Sequence, residues 1–184
     1  MRAAVFLDRD GVIIENRADY VKSWSEVRFL PEAVGALRRL SRTDYAVVLV
    51  TNQSAVGRRI ITLDQARVIN HRVVTEIQAA GGRVDAAYLC PHHPDDRCEC
   101  RKPAPGMFLQ AARELGLDLA GSYAIGDATS DMDAARSAGV RGILVLTGRG
   151  REQRANLVGG DDLPCVADLS AAVDYVLERP GVRS

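Results

Sequence analysis

The run Val5-Phe6-Leu7-Asp8-Arg9-Asp10-Gly11 decides the fold. A short apolar stretch ends in two carboxylates one residue apart, and a glycine follows. Side chains alternate along a strand, so Asp8 and Asp10 would share one side if strand geometry continued through them. Gly11 lets the chain bend sharply away. Two like charges this close each disfavour ionisation of the other, and they call for a cation, a shared proton or open water. Read alone, the pair fits a solvated turn after an edge strand as well as it fits a site.

Outward from this run the same pattern recurs. Tyr45–Val50 is a continuous apolar strand that stops at Thr51-Asn52-Gln53-Ser54, Val84–Leu89 runs into Cys90, and Tyr123–Ile125 is a short strand ending at Gly126-Asp127. Ile143–Leu146 and a short Cys165-Val166 complete the strands. Between them lie helical segments. Pro31 opens one with Ala33, Val34, Leu37 and Leu40 at helical spacing, and Thr62 caps another whose inward face is Ala66, Ile69, Val73 and Ile77. Met107–Leu115 closes at Gly116, and Ser130–Ala138 stops at Gly139. A last helix turns Leu169, Val173 and Val176 inward. Asn16–Arg28 reads as a loop over the strand end, Cys90–Pro105 as irregular, and Gly148–Pro164 as a polar connection. Strands apolar on both faces, alternating with amphipathic helices, define an α/β fold: a three-layer, Rossmann-like parallel sheet with helices on both faces. Residues 1–184 are expected to form one domain. In such sheets the site lies beyond the carboxyl ends of the strands. Asp8/Asp10, Thr51/Asn52, Cys90 and Gly126/Asp127 each follow a strand directly and converge on one edge.

Composition narrows the function. Among 184 residues, 47% are hydrophobic and 26% charged, as in ordinary globular proteins, and 24 basic residues balance 24 acidic ones. That balance argues against a phosphate-backbone binder, so no nucleic-acid partner is expected. No stretch approaches a membrane span, and Ala3–Leu7 is too short for a signal-peptide core. The expectation is a cytoplasmic, reducing setting with no membrane partner, in which a disulfide framework has no place.

Asp8, Asp10 and Asp127 are hard oxygen donors of the kind magnesium takes. Asp131, one helical turn after Asp127, either supports such a metal from behind or is simply an acid at a helix start. Thr51 offers a hydroxyl and neighbouring N–H groups as a phosphate cradle, or only a turn. Arg101 and Lys102 precede Pro103 on an extended segment, either as a solvated pair or as a phosphate clamp. Together these parts suit phosphoryl transfer: a carboxylate attacks phosphorus, and a second one moves the leaving-group proton. A site in which every carboxylate is purely a metal ligand satisfies the same spacing.

A second metal signal is Cys90-Pro91-His92-His93-Pro94-Asp95-Asp96-Arg97-Cys98-Glu99-Cys100. Three thiolates and one imidazole in a loop with no regular structure match a closed, tetrahedral structural zinc site. His92 mirrors the i, i+2 pairing of Cys98 and Cys100. Residues 90–102 thus read as a zinc loop that ends in Arg101-Lys102. His71 reads as a structural helix residue and Cys165 as a small buried one.

Asp8-Arg9-Asp10-Gly11, Thr51-Asn52-Gln53-Ser54, Cys100-Arg101-Lys102-Pro103 and Gly126-Asp127 together resemble the haloacid dehalogenase-like phosphatases. The Cys-Pro-His-His-Pro segment with its partner cysteines resembles the zinc-loop branch, which contains heptose-1,7-bisphosphate 7-phosphatases and histidinol-phosphate phosphatases. The resemblance implies Asp8 as nucleophile and Asp10 as acid/base, with its backbone carbonyl also on Mg2+. It implies Asp127 as the third magnesium ligand, Thr51 and Lys102 on the phosphoryl group, and Zn2+ on Cys90, His92, Cys98 and Cys100. Asn52, Gln53, Ser54, Arg58 and Arg101 match substrate-binding positions. The short interval from Gly11 to Pro31 leaves no room for a cap domain, so the site is expected to be capless and open.

Asp19-Tyr20-Val21 and Asn52-Gln53-Ser54 look more like the heptose enzymes, while the short zinc loop looks more like the histidinol ones. The expected substrate is a small phosphorylated sugar on the heptose side, with histidinol phosphate or another sugar phosphate as the alternative. An amine substrate would need an acidic partner among Glu15, Asp19 and Glu26. Three positions depart from the family pattern: Val12 stands where threonine is usual, Arg59 where glycine is usual, and Ala128 where the heptose enzymes generally carry lysine. A non-catalytic phosphate-binding scaffold would not require Asp8, Asp10, Lys102 and Asp127 together. Nothing in the chain requires a partner subunit, so a monomer is expected.

Overall fold

The computed structural model describes residues 1–156 and 163–179. Six parallel strands are β1 Arg2–Leu7, β2 Ala46–Asn52, β3 Ala86–Cys90, β4 Leu117–Gly126, β5 Arg141–Val145 and β6 Cys165–Val166. They lie side by side in the order β3-β2-β1-β4-β5-β6. The helices are α1 Ala33–Leu40, α2 Ser54–Gly57, α3 Leu63–Ala79, α4 Gly106–Leu115, α5 Thr129–Ser137, α6 Gly150–Arg154 and α7 Leu169–Glu178. Strand alternation sorts the core into two layers. Val5 and Leu7 of β1 pack with Leu37, Val73, Ile77 and Val173 of α1, α3 and α7. Ala4 and Phe6 face the opposite way, against Met107, Phe108 and Ala111 of α4 and Ala134 and Ala135 of α5. The Phe6 and Phe108 rings stack tilted, with centroids 4.7 Å apart.

The order of the strands places β1 next to β4, where the winding of the chain reverses direction, and such a reversal opens a crevice at the carboxyl ends. Asp8 follows β1 and Asp127 follows β4, so both carboxylates stand at that crevice. Residues 8–32 carry only a 3₁₀ turn, Trp24–Glu26, and two isolated bridges, Asp10 with Ile14 and Ile14 with Phe29. No cap is inserted there.

The structure extends the sequence expectation at four points. β4 begins at Leu117, six residues before the expected Tyr123. Its first part pairs with Arg2 and Ala3, the register then shifts, and pairing resumes at Val5–Tyr123. At the shift Ala4 N–H donates to Ser122 Oγ at 2.8 Å. The polar and glycine residues of that irregularity hide the strand's periodicity. Within the expected Gly148–Pro164 connection, Gly150–Arg154 is helical, because its residues favour helix yet present no apolar stripe; residues 157–162 of that connection lie outside the described residues. The four-residue α2 is likewise too short to show a period. Cys165, expected to be buried, is half-buried, because β6 forms the edge of the sheet. His71 sits on the exposed side of α3. No helix among the described residues is long and apolar enough to cross a membrane.

Candidate active site

Asp8 comes one residue after β1 and continues the Phe6 side of the strand, the side on which α4 and α5 pack. From that side arrive Lys102, just before α4, and Asp131, in the first turn of α5. Lys102 Nζ stands 2.7 Å from Asp8 Oδ1 and 2.6 Å from Asp131 Oδ1, and it donates to the Val50 carbonyl at 2.7 Å. All three side chains are buried. Asp131 turns out to serve both roles its position allows. Its second oxygen accepts the Ala128 N–H at the start of α5 at 3.1 Å, while its first holds the lysine.

Asp127 is fully buried beneath them. Its Oδ2 accepts the Arg149 N–H at 2.8 Å, and its Oδ1 has no hydrogen-bond partner, with the Arg149 guanidinium 3.5 Å away. Gly11, at φ +87°, and Gly148, at φ +54°, both lie against Asp127 Oδ2, where a Cβ on either would overlap it. Gly11 is therefore fixed twice, by its left-handed backbone and by the carboxylate beside it.

Asp8 and Asp131 share one buried lysine while Asp127 faces Arg149, and the electrostatics follow. Burial pushes Asp8 up to about 7, with the like charges of Asp131, Asp127 and Asp10 adding to the rise and Lys102 opposing it. Burial also raises Asp127, against the pull of the Arg149 N–H and guanidinium. Burial works against the charge on Lys102, yet Asp131 and Asp8 outweigh it and raise its affinity for the proton.

The donor set fits a divalent cation. Asp8, Asp127 and Asp131 offer oxygens all within 4.8 Å of one another, and the buried, unpartnered Asp127 Oδ1 is the kind of acceptor that a hard cation satisfies. Asp10 does not join this group. The strand ends at Leu7, so the shared side expected from the sequence does not extend to it. Its carboxylate turns to Arg9, which donates from Nε at 3.2 Å and from Nη2 at 3.1 Å, and to Gln53 Nε2 at 2.8 Å.

Above this cluster opens a cleft of about 770 Å3, within the range of ordinary ligand sites. Asp8, Asp10 and Lys102 reach its floor, and Asn52, Gln53, Ser54, Arg58 and Arg101 line its walls. Thr51 does not line it. It is fully buried, and its hydroxyl accepts from Gln53 Nε2 at 2.9 Å. Asn52 spends its amide on the backbone of Lys102, donating to the carbonyl at 3.0 Å and accepting the N–H at 3.1 Å. Arg101 is half-buried with its Nη1 unpartnered. Sequence reasoning missed Arg17, Arg97 and Arg149, which also face the cleft. Arg17 and Arg97 sit in irregular loops and Arg149 precedes the unrecognised α6, so no local pattern marked them.

The zinc loop forms one wall. Cys90, His92, Cys98 and Cys100 converge, with His92 Nδ1 3.5 Å from Cys90 Sγ and 3.2 Å from Cys100 Sγ, and the sulfurs 3.2–3.6 Å apart. Those separations lie at or a few tenths of an ångström below the edges of a tetrahedron, roughly 3.5–3.8 Å, around an ion about 2.3 Å from sulfur. His93 is occupied otherwise, capping the 3₁₀ turn Pro94–Asp96. The backbone at His92 and His93 lies directly on Gly57 of α2, where a side chain would collide with it.

The HAD-hydrolase-like family model matches residues 99–172. The D-glycero-beta-D-manno-heptose-1,7-bisphosphate 7-phosphatase of Bordetella bronchiseptica is 40% identical over 175 residues, which cover 95% of this chain and 98% of that protein. The crystal structure of D,D-heptose 1,7-bisphosphate phosphatase from B. bronchiseptica, complexed with magnesium and phosphate, aligns with a TM-score of 0.90 at 39% identity, over 96% of this chain and 99% of that one. A putative HAD-like phosphatase from Mesorhizobium loti aligns with a TM-score of 0.83 at 30% identity, over 100% of this chain and 89% of its own. With such a relative spanning nearly its whole length, and with Asp8, Lys102 and Asp127 gathered at the sheet's reversal point, this chain belongs to the haloacid dehalogenase-like phosphatases.

Proposed function

We propose that this protein is a magnesium-dependent phosphomonoesterase that removes the 7-phosphate of D-glycero-β-D-manno-heptose 1,7-bisphosphate. The observation that carries the reading is the buried Asp8–Lys102–Asp131 cluster beside Asp127, set beneath an open cleft rich in arginine. In the first step an Asp8 oxygen bonds to phosphorus, the bond from phosphorus to the sugar oxygen breaks, and Asp10 gives that oxygen a proton. In the second, Asp10 takes a proton from water as its oxygen attacks the same phosphorus, and Asp8 is released. Lys102 holds Asp8 in place and counters the charge of the transferring group, and the buried Thr51 backs that cradle through its hydrogen bond with Gln53. Asp8, Asp127 and the Asp10 carbonyl would hold Mg2+, which when bound would supply further neutralisation of that charge. Cys90, His92, Cys98 and Cys100 would hold Zn2+, which when bound would fix the loop that presents Arg101 and Lys102.

The cleft favours a bisphosphate over histidinol phosphate. Arg17, Arg58, Arg97, Arg101 and Arg149 face it, more cations than one phosphoryl group needs. The acids that an amine would seek are engaged: Asp19 and Glu26 both pair with Arg17 and Lys22. Glu15 is exposed and does not line the cleft. Ala128 is buried, and Arg149 supplies a cation on that wall of the site. We take residues 1–184 to work as a single domain, monomeric and cytoplasmic.

The test is a phosphate-release screen over heptose 1,7-bisphosphate, heptose and other sugar monophosphates, and histidinol phosphate, with Asp8→Asn as control. The expected result is magnesium-dependent turnover that favours the bisphosphate and disappears in the control. A preference for histidinol phosphate would overturn the substrate, and no turnover on any ester would overturn the enzyme.

A further inference from the structure

Arg9 is 1% exposed, a guanidinium almost wholly withdrawn from water whose only acidic partner among the described residues is its neighbour Asp10. Its Nη1 is buried without a partner. An arrangement of this kind is a poor stabiliser, because desolvating the ions offsets much of their attraction, and an apolar side chain of similar volume often serves stability as well. What the arginine does provide is geometry. Nε and Nη2 reach both oxygens of Asp10, at 3.2 and 3.1 Å, in a two-pronged fork, and Gln53 Nε2 adds a third donor at 2.8 Å. The base of the fork is fixed too, since the Arg9 carbonyl accepts the N–H groups of Ile13 and Ile14 at 2.9 and 3.0 Å. Gln53 Nε2 also meets Thr51 Oγ1, which ties the carboxylate to the β2 terminus.

We infer that Arg9 is a positioning residue for the leaving-group step, the side chain that fixes the direction from which Asp10 meets the ester oxygen. The inference rests on Asp10 being the acid of the proposed reaction. In that step the bond from phosphorus to the alkyl oxygen breaks as Asp8 bonds to phosphorus, and the proton passes from Asp10 to the departing oxygen. A sugar alkoxide needs that proton, whereas 4-nitrophenolate leaves without it. Because kcat/KM reports events up to the first irreversible step, it isolates this transfer from the later hydrolysis of the acyl phosphate.

The experiment measures kcat/KM for the sugar phosphate and for 4-nitrophenyl phosphate with wild type, Arg9→Met, Arg9→Lys and Asp10→Asn. Misdirecting the acid should cost Arg9→Met about 10- to 100-fold on the sugar ester and no more than about threefold on the nitrophenyl ester. Arg9→Lys keeps the charge but not the fork and should recover only part of the loss; it also carries the test if Arg9→Met does not fold. Asp10→Asn should show the same selectivity more strongly. Equal losses on the two esters in both Arg9 variants, beside a selective loss in Asp10→Asn, would overturn the positioning role alone. Equal losses in Asp10→Asn itself would overturn the acid, and the inference with it.

Discussion

Asn52 grips the backbone of Lys102 from both sides, its amide nitrogen on the carbonyl at 3.0 Å and its amide oxygen on the N–H at 3.1 Å. A β2 residue thereby sets the height of a lysine fifty positions later in the chain. Asn52→Ala removes both bonds, each worth about 1 kcal/mol in net stability, and lets the lysine drift from Asp8. The expected outcome is a fall in kcat of about 10- to 100-fold with magnesium affinity little changed. Steady-state kinetics beside a magnesium titration checks it.

Lys102→Met leaves Asp8, Asp127 and Asp131 buried together without their cation. Breaking a buried pair in this way typically costs about 3–5 kcal/mol. The metal-free variant should therefore melt well below the wild type, added magnesium should restore part of the difference, and phosphatase activity should stay lost. Thermal melts with and without magnesium read all three.

The raised Asp8 value gives magnesium binding a pH dependence. Its carboxyl moves from 3.8 to about 7, so the metal-free fold gains stability from the bound proton, fully present below 3.8 and lost as pH rises through about 7. Magnesium must displace that proton. Binding at pH 6 should release a proton and be weaker than at pH 8.5, where the release should shrink. Calorimetry in two buffers of different ionisation enthalpy measures the release directly.

On the proposed zinc assignment Cys90→Ser should lose the metal, because Cys90 is the buried member of the four. The loop presents Arg101 and Lys102, so turnover should fall at least about tenfold together with zinc content. Normal turnover in a zinc-free variant would separate the two.

Arg97 lies in that loop in a left-handed conformation, φ +48°, exposed at the rim of the cleft. If the surplus cations serve a second phosphate, Arg97→Ala should raise KM for the bisphosphate about tenfold, the worth of one charge-assisted hydrogen bond, and leave KM for heptose 7-phosphate within about twofold. An equal rise on both would remove Arg97 from that role.

The strand ends were readable because parallel strands buried on both faces are continuous apolar runs, and the residue after each run is bound for the crevice. The inward faces of α3 and α7 were readable for the same reason, through Ile69, Val73 and Ile77 and through Leu169, Val173 and Val176, all buried. Contacts that join distant segments left no such trace. Nothing local marks the bond from Asp131 to Lys102, the occupation of the Gln53 amide by Asp10 and Thr51, or Arg149 on Asp127. Arg59 is an intermediate case: it departs from a usual glycine, and the structure gives it φ +59°, a backbone conformation glycine takes without strain.

The missing cap has a consequence for timing. An enzyme that dries its site by folding a lid over the substrate must open again before product leaves, and that motion often limits turnover. Here Thr51, Asp127 and Lys102 are dry before any ligand arrives, because the sheet and its helices already cover them. Phosphate can depart from an open bowl without a lid opening first, so no opening motion of that kind should limit the catalytic cycle. A substrate whose far end is long, branched or tethered to a surface should still reach Asp8.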